Sequence, residues 1–523
     1  MKLLSNVTIF VLVAFLNVFV KSYKILGVFP LTLKSHNIFC QSVMKVLAKR
    51  GHQVDVIASR ALENTPPNYK VLYDTRKIAP NNTADVTIDT VFTKYSSDPI
   101  KYIADQFGNA VCEILANEEI RTIIKELKTK TKYDFMVTEA FATNCFMGLG
   151  HYLNIPVIIL SAQTLYPWVE DAIGNPSSAA IYPVILSSLV EINSFWDRLQ
   201  NVVEELVLKY KFYHYTEKIQ TNIIRKYISA DLPTVSELSK SPILTLSNTY
   251  FSFNGIRPFT SSLIEVGGLH ILQDDNVLTP ELQKWMDESE DGVVYFSMGT
   301  IILVESLPKK AIRAFYYIIR KLKSIRFLIR AKNVNIFPKI LNNVKTLPWI
   351  PQIPVLRHKN TRVFISHCGL LSSMEALYFG VPVVGIPVAV DQFSNMHKLV
   401  QRNMGVKLNL NNITKSILRQ VLTSLINNST YRQAAKKASK LFKDRPSRPE
   451  ETTIFWIEYV LRNGGILKSP AVNLHWAQNK LLDVYLFSIV LLILILYVSV
   501  KIIRIVVNLK NKDKTEKKKK KTN

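Results

Sequence analysis

A histidine near the amino terminus stands where a catalytic base would be useful. His36 follows the first predicted strand and opens the first predicted helix, so it lies at the carboxyl edge of a sheet. An imidazole titrates near neutral pH and can take a proton from a hydroxyl group. The sequence therefore offers His36 as a general base, with a helix-capping or surface histidine as the alternative interpretation.

A base of this kind needs a partner that orients its ring. Glu139 ends a predicted strand and lies at the same kind of edge as His36. Its carboxylate would accept a hydrogen bond from one imidazole nitrogen, hold the tautomer and stabilise the imidazolium. Asn144, in the following loop, can orient an imidazole by a hydrogen bond but adds no charge. A solvated carboxylate at a strand end is the alternative interpretation of Glu139.

The most informative set of polar and aromatic side chains lies within residues 349–392. A strand ending at Ser366 leads through glycine into a predicted helix at residues 370–379, and a helix N-terminus of this kind binds anions. An indole face can stack on a base, and carboxylates and amides can bind the hydroxyls of ribose and of a sugar. A nucleoside diphosphate sugar is the ligand that uses all of these groups. They belong to Trp349, His367, Gly369, Ser372, Glu375, Asp391 and Gln392.

Alternating strands and helices position these residues. In the first half, the predicted strands are residues 23–30, 54–59, 133–140 and 155–160, with a helix at 35–50. After an acidic, helix-breaking stretch at 273–292, the predicted strands are residues 293–298, 326–331, 362–366 and 382–386. This alternation indicates parallel sheets, which bind ligands at the carboxyl ends of their strands. The predicted fold class is α/β, with two doubly wound Rossmann-like domains facing a cleft.

Composition and charge fit a large folded protein with a basic surface. The 523 residues carry a formal net charge of +26, and 48% are hydrophobic, which excludes wholesale disorder. Residues 501–523 hold ten Lys or Arg and two acidic residues, a net +8, whereas the remaining basic charge of the body is diffuse. Since the chain has no basic stripe, no zinc-finger spacing and no basic helix that leads into heptads, nucleic-acid binding is not expected.

Two apolar runs predict the topology. Residues 1–22 are typical of a secretory signal, or else of an uncleaved anchor. Residues 484–500 are long enough to cross a bilayer, and the positive-inside rule then places the Lys-rich tail in the cytosol; a buried core helix is the alternative. The predicted segments are a signal peptide (1–22), an acceptor-binding domain (23–285), a donor-binding domain (286–465), a juxtamembrane segment (466–483), a transmembrane helix (484–500) and a cytosolic tail (501–523).

Cysteines, sequons and the carboxyl terminus add to the expected location. Four scattered cysteines without a CxxC pair argue against a disulfide framework and a zinc site, and leave room for one or two disulfides. Sequons begin at Asn81, Asn412, Asn427 and Asn428, as a luminal body would allow. Lys520 and Lys521 resemble the dilysine retrieval signal of endoplasmic reticulum membrane proteins, or are a chance product of the Lys run. The apolar pattern of residues 185–230 predicts helices. They would form a wall that faces the acceptor or the membrane, or else would be ordinary packing helices.

Residues 349–392 resemble the signature of the UDP-glycosyltransferase family, the inverting enzymes of GT-B fold. The stretch contains, in order, W-x-P-Q, H-x-G, S-x-x-E, G-V-P, G-I-P and D-Q. The resemblance spans almost the whole chain. The segments FSMGT (296–300), DRP (444–446), WIEY (456–459) and LLDV (481–484) are similar to the membrane-bound animal members, and in style to the insect ones.

The resemblance implies roles for the residues that match the motif. Trp349 would stack on uracil, Ile350 would bond the base through its backbone, and Gln352 would lie near the ribose. Glu375 would hold the ribose hydroxyls.

The other matching residues would hold the diphosphate and the sugar. The diphosphate positions are His367, Gly369 and Ser372, with Thr300 assisting. Asp391 and Gln392 would bind the transferred sugar, and His36 would be the general base.

This sequence departs from the family pattern at three points. Cys368 stands where many animal members have Gly, and Thr300 stands where Ser is common. The aspartate that partners the base histidine in the family is not plainly present. Alignment of the strand end gives Glu139, and a partner from the following loop would be Asn144.

The sequence as a whole predicts a membrane-bound glycosyltransferase of the endoplasmic reticulum. It would transfer a hexose from a UDP-sugar to a hydroxyl of a small lipophilic acceptor, with inversion, and glucose is favoured by the insect-like resemblance alone. No metal or other cofactor is expected, because the sequence has no DxD pair suited to a metal–diphosphate bridge and the pair Asp274-Asp275 lies in the predicted linker. A homo-oligomer is compatible with this prediction. The rival is a catalytically silent protein that binds a UDP-sugar or a lipophile.

Overall fold

The computed structural model describes residues 22–519, apart from 61, 63–64, 79–86, 91–92, 94–97, 301, 334–335 and 340. Residues 1–21 of the predicted signal peptide (1–22), the sequon at Asn81 and the pair Lys520–Lys521 lie outside the described residues. The chain forms two compact units, of which the first ends at Ser469 and the second begins at Pro470.

The first sheet has seven parallel strands in the order β3-β2-β1-β4-β5-β6-β7. Leu26 and Val28 of β1 enter the core on one face, and Ile25 and Phe29 enter the core on the other. Both faces are therefore buried, as a parallel sheet requires. The strands are β1 (Lys24–Phe29), β2 (Gln53–Ala58), β3 (Tyr69–Asp74), β4 (Phe135–Glu139), β5 (Val157–Ser161), β6 (Leu244–Ser247) and β7 (Leu263–Glu265).

The second sheet has six parallel strands and repeats the same winding, in the order β10-β9-β8-β11-β12-β13. In each sheet the order reverses beside the first strand, between β1 and β4 and between β8 and β11. A crevice for ligands opens at such a point. The strands are β8 (Val293–Ser297), β9 (Arg326–Arg330), β10 (Val344–Leu347), β11 (Thr361–Ser366), β12 (Val383–Gly385) and β13 (Gly405–Lys407).

Helices connect the strands and cover the sheets. Those that concern the core or the site are α1 (Lys34–Lys49), α2 (Glu118–Lys130), α3 (Met147–Leu153), α4 (Pro167–Ala172), α5 (Phe195–Tyr227), α6 (Leu269–Leu272), α7 (Pro280–Asp287), α8 (Lys309–Lys321), α9 (Gln352–Arg357), α10 (Leu370–Phe379), α11 (Gln392–Gln401), α12 (Lys415–Asn427), α13 (Ser429–Lys443), α14 (Pro449–Asn463) and α15 (Leu482–Lys519). Each strand predicted from the sequence is present within two residues at either end. Strands β3, β6, β7, β10 and β13 were not predicted.

The stretch at residues 273–292 was wrongly predicted to break helices throughout. Helix α7 forms inside it, with Pro280 in the first turn and the Thr279 hydroxyl accepting from the backbone N–H of Leu282. Proline at the first helical position and threonine at the cap both favour a helix start. Leu282 and Met286 then bury one face of this helix in the core.

Helix α14 joins the two halves of the first unit. Although it follows the second sheet in the chain, Ile457 and Val460 pack into the core of the first sheet. Glu458 on the same helix pairs with Arg50 at the end of α1 at 3.1 Å. Since both sheets lie in one compact unit, the predicted domain boundary near residue 285 stays a prediction.

The second unit contains the apolar segment near the carboxyl terminus. Helix α15 begins two residues before the predicted span at 484–500 and continues through the Lys-rich segment. Its part Leu482–Lys518 is long and apolar enough to cross a membrane.

Candidate active site

The crevice of the first sheet holds the predicted base and its carboxylate. His36 is in the first turn of α1, and Glu139 is the last residue of β4, the neighbour of β1. Their side chains meet with Nδ1 of His36 2.5 Å from Oε1 of Glu139, and both residues are buried. The sequence thus placed both residues at one edge, and the structure brings them into hydrogen-bond contact.

Glu139, and not Asn144, is the group within hydrogen-bond distance of the imidazole in the described structure. Nδ1 faces this carboxylate, so Nε2 is the ring nitrogen left for a proton from an acceptor. The ring of Phe141 packs against the imidazole with 5.1 Å between centroids. An aromatic wall beside the ring limits its rotation and excludes water from one side.

The loop after β4 is fixed at several points, which keeps Phe141 in place. The indole N–H of Trp168 donates to the carbonyl of Phe141 at 2.7 Å. Nε2 of Gln220 donates to the carbonyl of Ala142 at 2.8 Å, and the amide N–H of Cys145 donates to Oε1 of Gln220. The sequence left room for one or two disulfides, and Cys145 forms one with Cys112, which ties this loop to the chain before α2.

The crevice of the second sheet is built around His367, directly after β11. A Cβ on Gly299 would lie 2.4 Å from this imidazole, and a Cβ on Gly369 would lie 2.6 Å from it. The ring therefore fits between two glycines, one from the loop after β8 and one at the cap of α10. Thr300 follows Gly299 in that first loop and is partly buried. The first-turn N–H groups of α10 lack partners within the helix and are therefore available to an anion at its N-terminus.

Electrostatics keep His367 neutral. Burial, with a smaller contribution from the charge of the Arg330 guanidinium, lowers its pKa to about 4. Arg330 ends β9 and donates to the carbonyl of Gly299. Nδ1 of His367 is buried and has no hydrogen-bond partner among the described residues. The crevice thus contains a neutral imidazole and, beside it, the fixed cation of Arg330, a combination suited to an anionic ligand.

Three of the residues assigned to ribose and diphosphate form one hydrogen-bond network. Nε2 of Gln352 donates to Oε2 of Glu375 at 2.5 Å and lies 3.0 Å from Oγ of Ser372. The hydroxyl of Tyr295 donates to Oε1 of Gln352 at 3.1 Å. This network starts in β8 and orients a buried carboxylate at the second turn of α10.

Trp349 is 48% exposed at the edge of this network, as a base-stacking platform must be. The ammonium of Lys34, from the first turn of α1, lies 2.9 Å from the centre of its ring, a cation–π contact. A base that stacks on this face requires the lysine to move. The side chain of Ile350 is buried in the core, so its backbone is the part available to a ligand.

Asp391 and Gln392 start α11. The Asp391 carboxylate accepts from Nδ2 of Asn395 at 2.7 Å, and burial raises its pKa, partly offset by that hydrogen bond and by the charges of Lys398 and His36. Oε1 of Gln392 accepts two backbone N–H groups, which leaves its amide N–H groups for a sugar hydroxyl. His36 is thus close enough to Asp391 to act on its carboxylate electrostatically, although the two residues follow strands of different sheets.

Three residues of this cleft were not predicted from the sequence. Arg330 lies one residue before the end of the strand predicted at 326–331, so the rule that located the other residues could have found it. Lys34 lies two positions before His36, and Phe141 two after Glu139, without a spacing that marks either. Within the described ranges, no group of three or more His, Cys, Asp and Glu side chains could hold a metal ion. Asp275 of the linker pair contacts Lys45 instead.

Comparisons with known proteins identify a family with this pair of crevices. The family described as UDP-glucoronosyl and UDP-glucosyl transferase matches residues 24–521. UDP-glycosyltransferase UGT5 of Dactylopius coccus is 33% identical over 493 residues, which cover 93% of this chain and 92% of the relative. UDP-glucosyltransferase 2 of the same organism is 31% identical over 472 residues, covering 89% and 90%.

A solved structure shares the fold at low sequence identity. UGT2 of Phytolacca americana, complexed with UDP-2fluoro-glucose and pterostilbene, superposes with a TM-score of 0.54 at 15% identity, covering 84% of this chain and 100% of that one. The cleft between two doubly wound sheets is therefore that of a GT-B glycosyltransferase. The chain belongs to the UDP-glucuronosyl and UDP-glucosyl transferase family, and it transfers a glycosyl group from a UDP-sugar to an acceptor. The predicted family, fold class and enzyme class are confirmed.

Proposed function

We propose that the protein transfers a hexose from a UDP-sugar to a hydroxyl of a small lipophilic acceptor, with inversion and with His36 as the general base. The observation that carries this proposal is the buried contact of 2.5 Å between Nδ1 of His36 and Oε1 of Glu139. A carboxylate on Nδ1 leaves Nε2 as the acceptor of a proton and stabilises the imidazolium that forms.

The reaction moves one proton and exchanges one bond. The acceptor hydroxyl gives its proton to Nε2 of His36, and its oxygen attacks the anomeric carbon from the face opposite UDP. The bond from that carbon to the diphosphate oxygen breaks, and UDP leaves with the electron pair. The N-terminus of α10, His367 and Arg330 are the groups that stabilise the leaving charge, so no step requires a metal.

Glucose is the proposed sugar. The name of the relative UDP-glucosyltransferase 2 and the fluoro-glucose complex of the plant structure support it. Asp391 and Gln392 would bind the sugar hydroxyls, Glu375 the ribose hydroxyls, and Trp349 and Ile350 the uracil. Gln352 supports the ribose through its bond to Glu375.

The proposed location is the endoplasmic reticulum membrane, with the first unit in the lumen and the Lys-rich tail in the cytosol. The disulfide between Cys112 and Cys145 supports a luminal first unit, because disulfides persist in oxidising compartments. Helix α15 supports a single membrane anchor. The described sequon residues Asn412, Asn427 and Asn428 are exposed, as glycosylation requires.

Microsomes from cells that express the full chain, given UDP-glucose and a panel of phenolic acceptors, test the proposal. We expect a β-glucoside product from wild type. The His36→Ala variant should lose at least about a hundredfold in kcat and still bind UDP. UDP binding without turnover over the whole panel would favour the silent binding protein. Turnover retained in His36→Ala would remove His36 from its role, and competition between UDP-glucose and UDP-glucuronate decides the sugar.

A further inference from the structure

A buried histidine outside the predicted site contacts the carboxylate assigned to ribose. Nε2 of His270 lies 3.2 Å from Oε1 of Glu375, and the side chain of His270 is 0% exposed. The other carboxylate oxygen, Oε2, accepts from Gln352. Glu375 is therefore contacted on both oxygens, from two sides.

His270 comes from the chain that links the two sheets. It lies on α6, where the preceding Leu269 packs into the core of the first sheet and the following Ile271 packs into the core of the second. The ammonium groups of Lys45 and Lys49 on α1 bind Gln273, just after this helix. The backbone that carries His270 is thus anchored to the helix that carries the proposed base.

Within the described part of the chain, the ring of His270 has no other polar partner. Neither ring nitrogen of His270 forms a hydrogen bond of good geometry there, although buried polar atoms are nearly always satisfied. A histidine kept only for packing would be expected to have such partners or to be replaced by an apolar side chain. The carboxylate of Glu375 is the polar group that this ring faces.

We propose that His270 is a positioning residue that aims the Glu375 carboxylate at the ribose hydroxyls of the donor. This inference rests on the proposed function, in which Glu375 binds those hydroxyls. Gln352 donates to one carboxylate oxygen and the imidazole lies 3.2 Å from the other, so the two side chains confine the carboxylate and leave its remaining lone pairs for the ribose. The donor site of the second sheet is then completed by a residue anchored in the first.

A second buried histidine provides a matched control. His52 is also 0% exposed and also lies near a glutamate, with Nε2 3.6 Å from Oε1 of Glu458 on α14. His52 directly precedes β2 and Glu458 lies on a helix that packs against the first sheet, and neither residue is assigned to the donor. Replacing either histidine by alanine removes the same buried ring next to a carboxylate.

The experiment measures the dissociation constants of UDP and of 2′,3′-dideoxy-UDP on the full-length protein in detergent. Wild type should prefer UDP. In His270→Ala we expect UDP to bind about tenfold more weakly while the dideoxy analogue binds as before, so that the preference collapses. His270→Gln, which keeps an N–H donor, should restore part of it. His52→Ala should keep the wild-type preference.

The outcomes separate this inference from the proposed function. An unchanged preference in His270→Ala, or an equal loss for both nucleotides, overturns the positioning role even if turnover is intact. A collapse of the preference in His270→Ala alone supports it, even if the wild type turns over no acceptor and the proposed reaction fails. A collapse in His52→Ala as well would mean a general packing effect and would also overturn the inference.

Discussion

The two crevices of this protein occupy the same place in two sheets of the same winding, yet their chemistry is opposite. The crevice between β1 and β4 holds an ionisable pair, His36 and Glu139, closed in by Phe141. The crevice between β8 and β11 holds a histidine kept neutral between two glycines, at the N-terminus of a helix.

The difference comes from the residues that follow the strands. Between β1 and α1 the chain has no glycine, and the side chain of His36 in the first turn of α1 projects into the crevice. After β11 the chain enters α10 through Gly369, so that backbone N–H groups can approach a ligand closely. One topology thus carries an ionisable pair on one side of a cleft and a helix N-terminus suited to anions on the other, which the proposed function uses for proton transfer and for donor binding. Changes in the first crevice should therefore lower kcat, and changes in the second should weaken donor binding.

The largest effect is expected from the charged partner in the first crevice. Glu139→Gln keeps the size of the side chain but removes the charge that stabilises the imidazolium, so kcat should fall about a hundredfold. The dissociation constant for UDP should change by less than about twofold, because the second crevice is intact. Steady-state kinetics and calorimetric titration with UDP measure the two quantities.

Asn144→Ala is the control on the same loop. Because Glu139 and not Asn144 contacts the imidazole, this variant should keep kcat within about threefold of wild type. A greater loss in Asn144→Ala than in Glu139→Gln would assign the orienting role to Asn144 and contradict the description of the first crevice as a charged pair.

The next largest effect is expected from filling the space beside His367. Gly369 has φ −59° and ψ 155°, a backbone that alanine adopts without strain, but the new Cβ would lie 2.6 Å from Nε2 of His367. The ring must move, and we expect Gly369→Ala to raise the KM for the UDP-sugar about tenfold with a smaller change in kcat. Donor titration at saturating acceptor measures the two constants.

Gly465→Ala is the matched glycine control, since its Cβ would have an ordinary contact of 3.5 Å and no positive φ. It should leave the KM for the donor unchanged. If Gly369→Ala also left it unchanged, the close fit of His367 between the glycines would have no part in donor binding.

Strand ends were the part of the site that the sequence could predict. Hydrophobic runs marked β1, β4, β8 and β11, and ligand residues in parallel sheets follow such runs, so His36, Glu139 and His367 could be located. Short strands such as β12 and β13 have three residues each, and only the first of these was predicted. The choice between Glu139 and Asn144 depended on the path of one loop, which no periodicity encodes.

Contacts across the sheets could not be predicted for a different reason. His270 meets Glu375, and Lys34 meets Trp349, over separations of more than a hundred residues. Such pairs depend on how two separately recognisable sheets pack, and a single sequence has no local pattern for that. The prediction that residues 273–292 break helices failed because Pro280 and the acidic residues are compatible with the first turns of a helix once the hydroxyl of Thr279 caps it.

Acidification should destabilise the folded protein, because His367 in the second crevice is buried in its neutral form. The pKa of His367 is about 4 in the folded protein, below the ordinary value near 6.5, so the unfolded chain takes up the proton first as pH falls. Its contribution to stability is complete above about pH 6.5 and is lost as pH drops toward 4. Between pH 7.5 and 5.5 wild type should lose about 1 kcal/mol more stability than His367→Asn. Urea unfolding of both proteins at the two pH values measures this, and equal losses would contradict a neutral His367.

The smallest expected effect concerns the backbone that lets α10 approach a ligand. Cys368 has φ +65°, in the region that favours glycine, whereas no described residue between β1 and α1 has a positive φ. Cys368→Ala and Cys368→Gly both remove a buried sulfur 3.4 Å from Sδ of Met396, but only alanine keeps the backbone strain. Glycine should therefore be the more stable of the two by about 1 kcal/mol, the reverse of their order in a helix interior. Urea unfolding in one detergent compares them, and a more stable alanine variant would show that this turn of the second crevice does not require a left-handed residue.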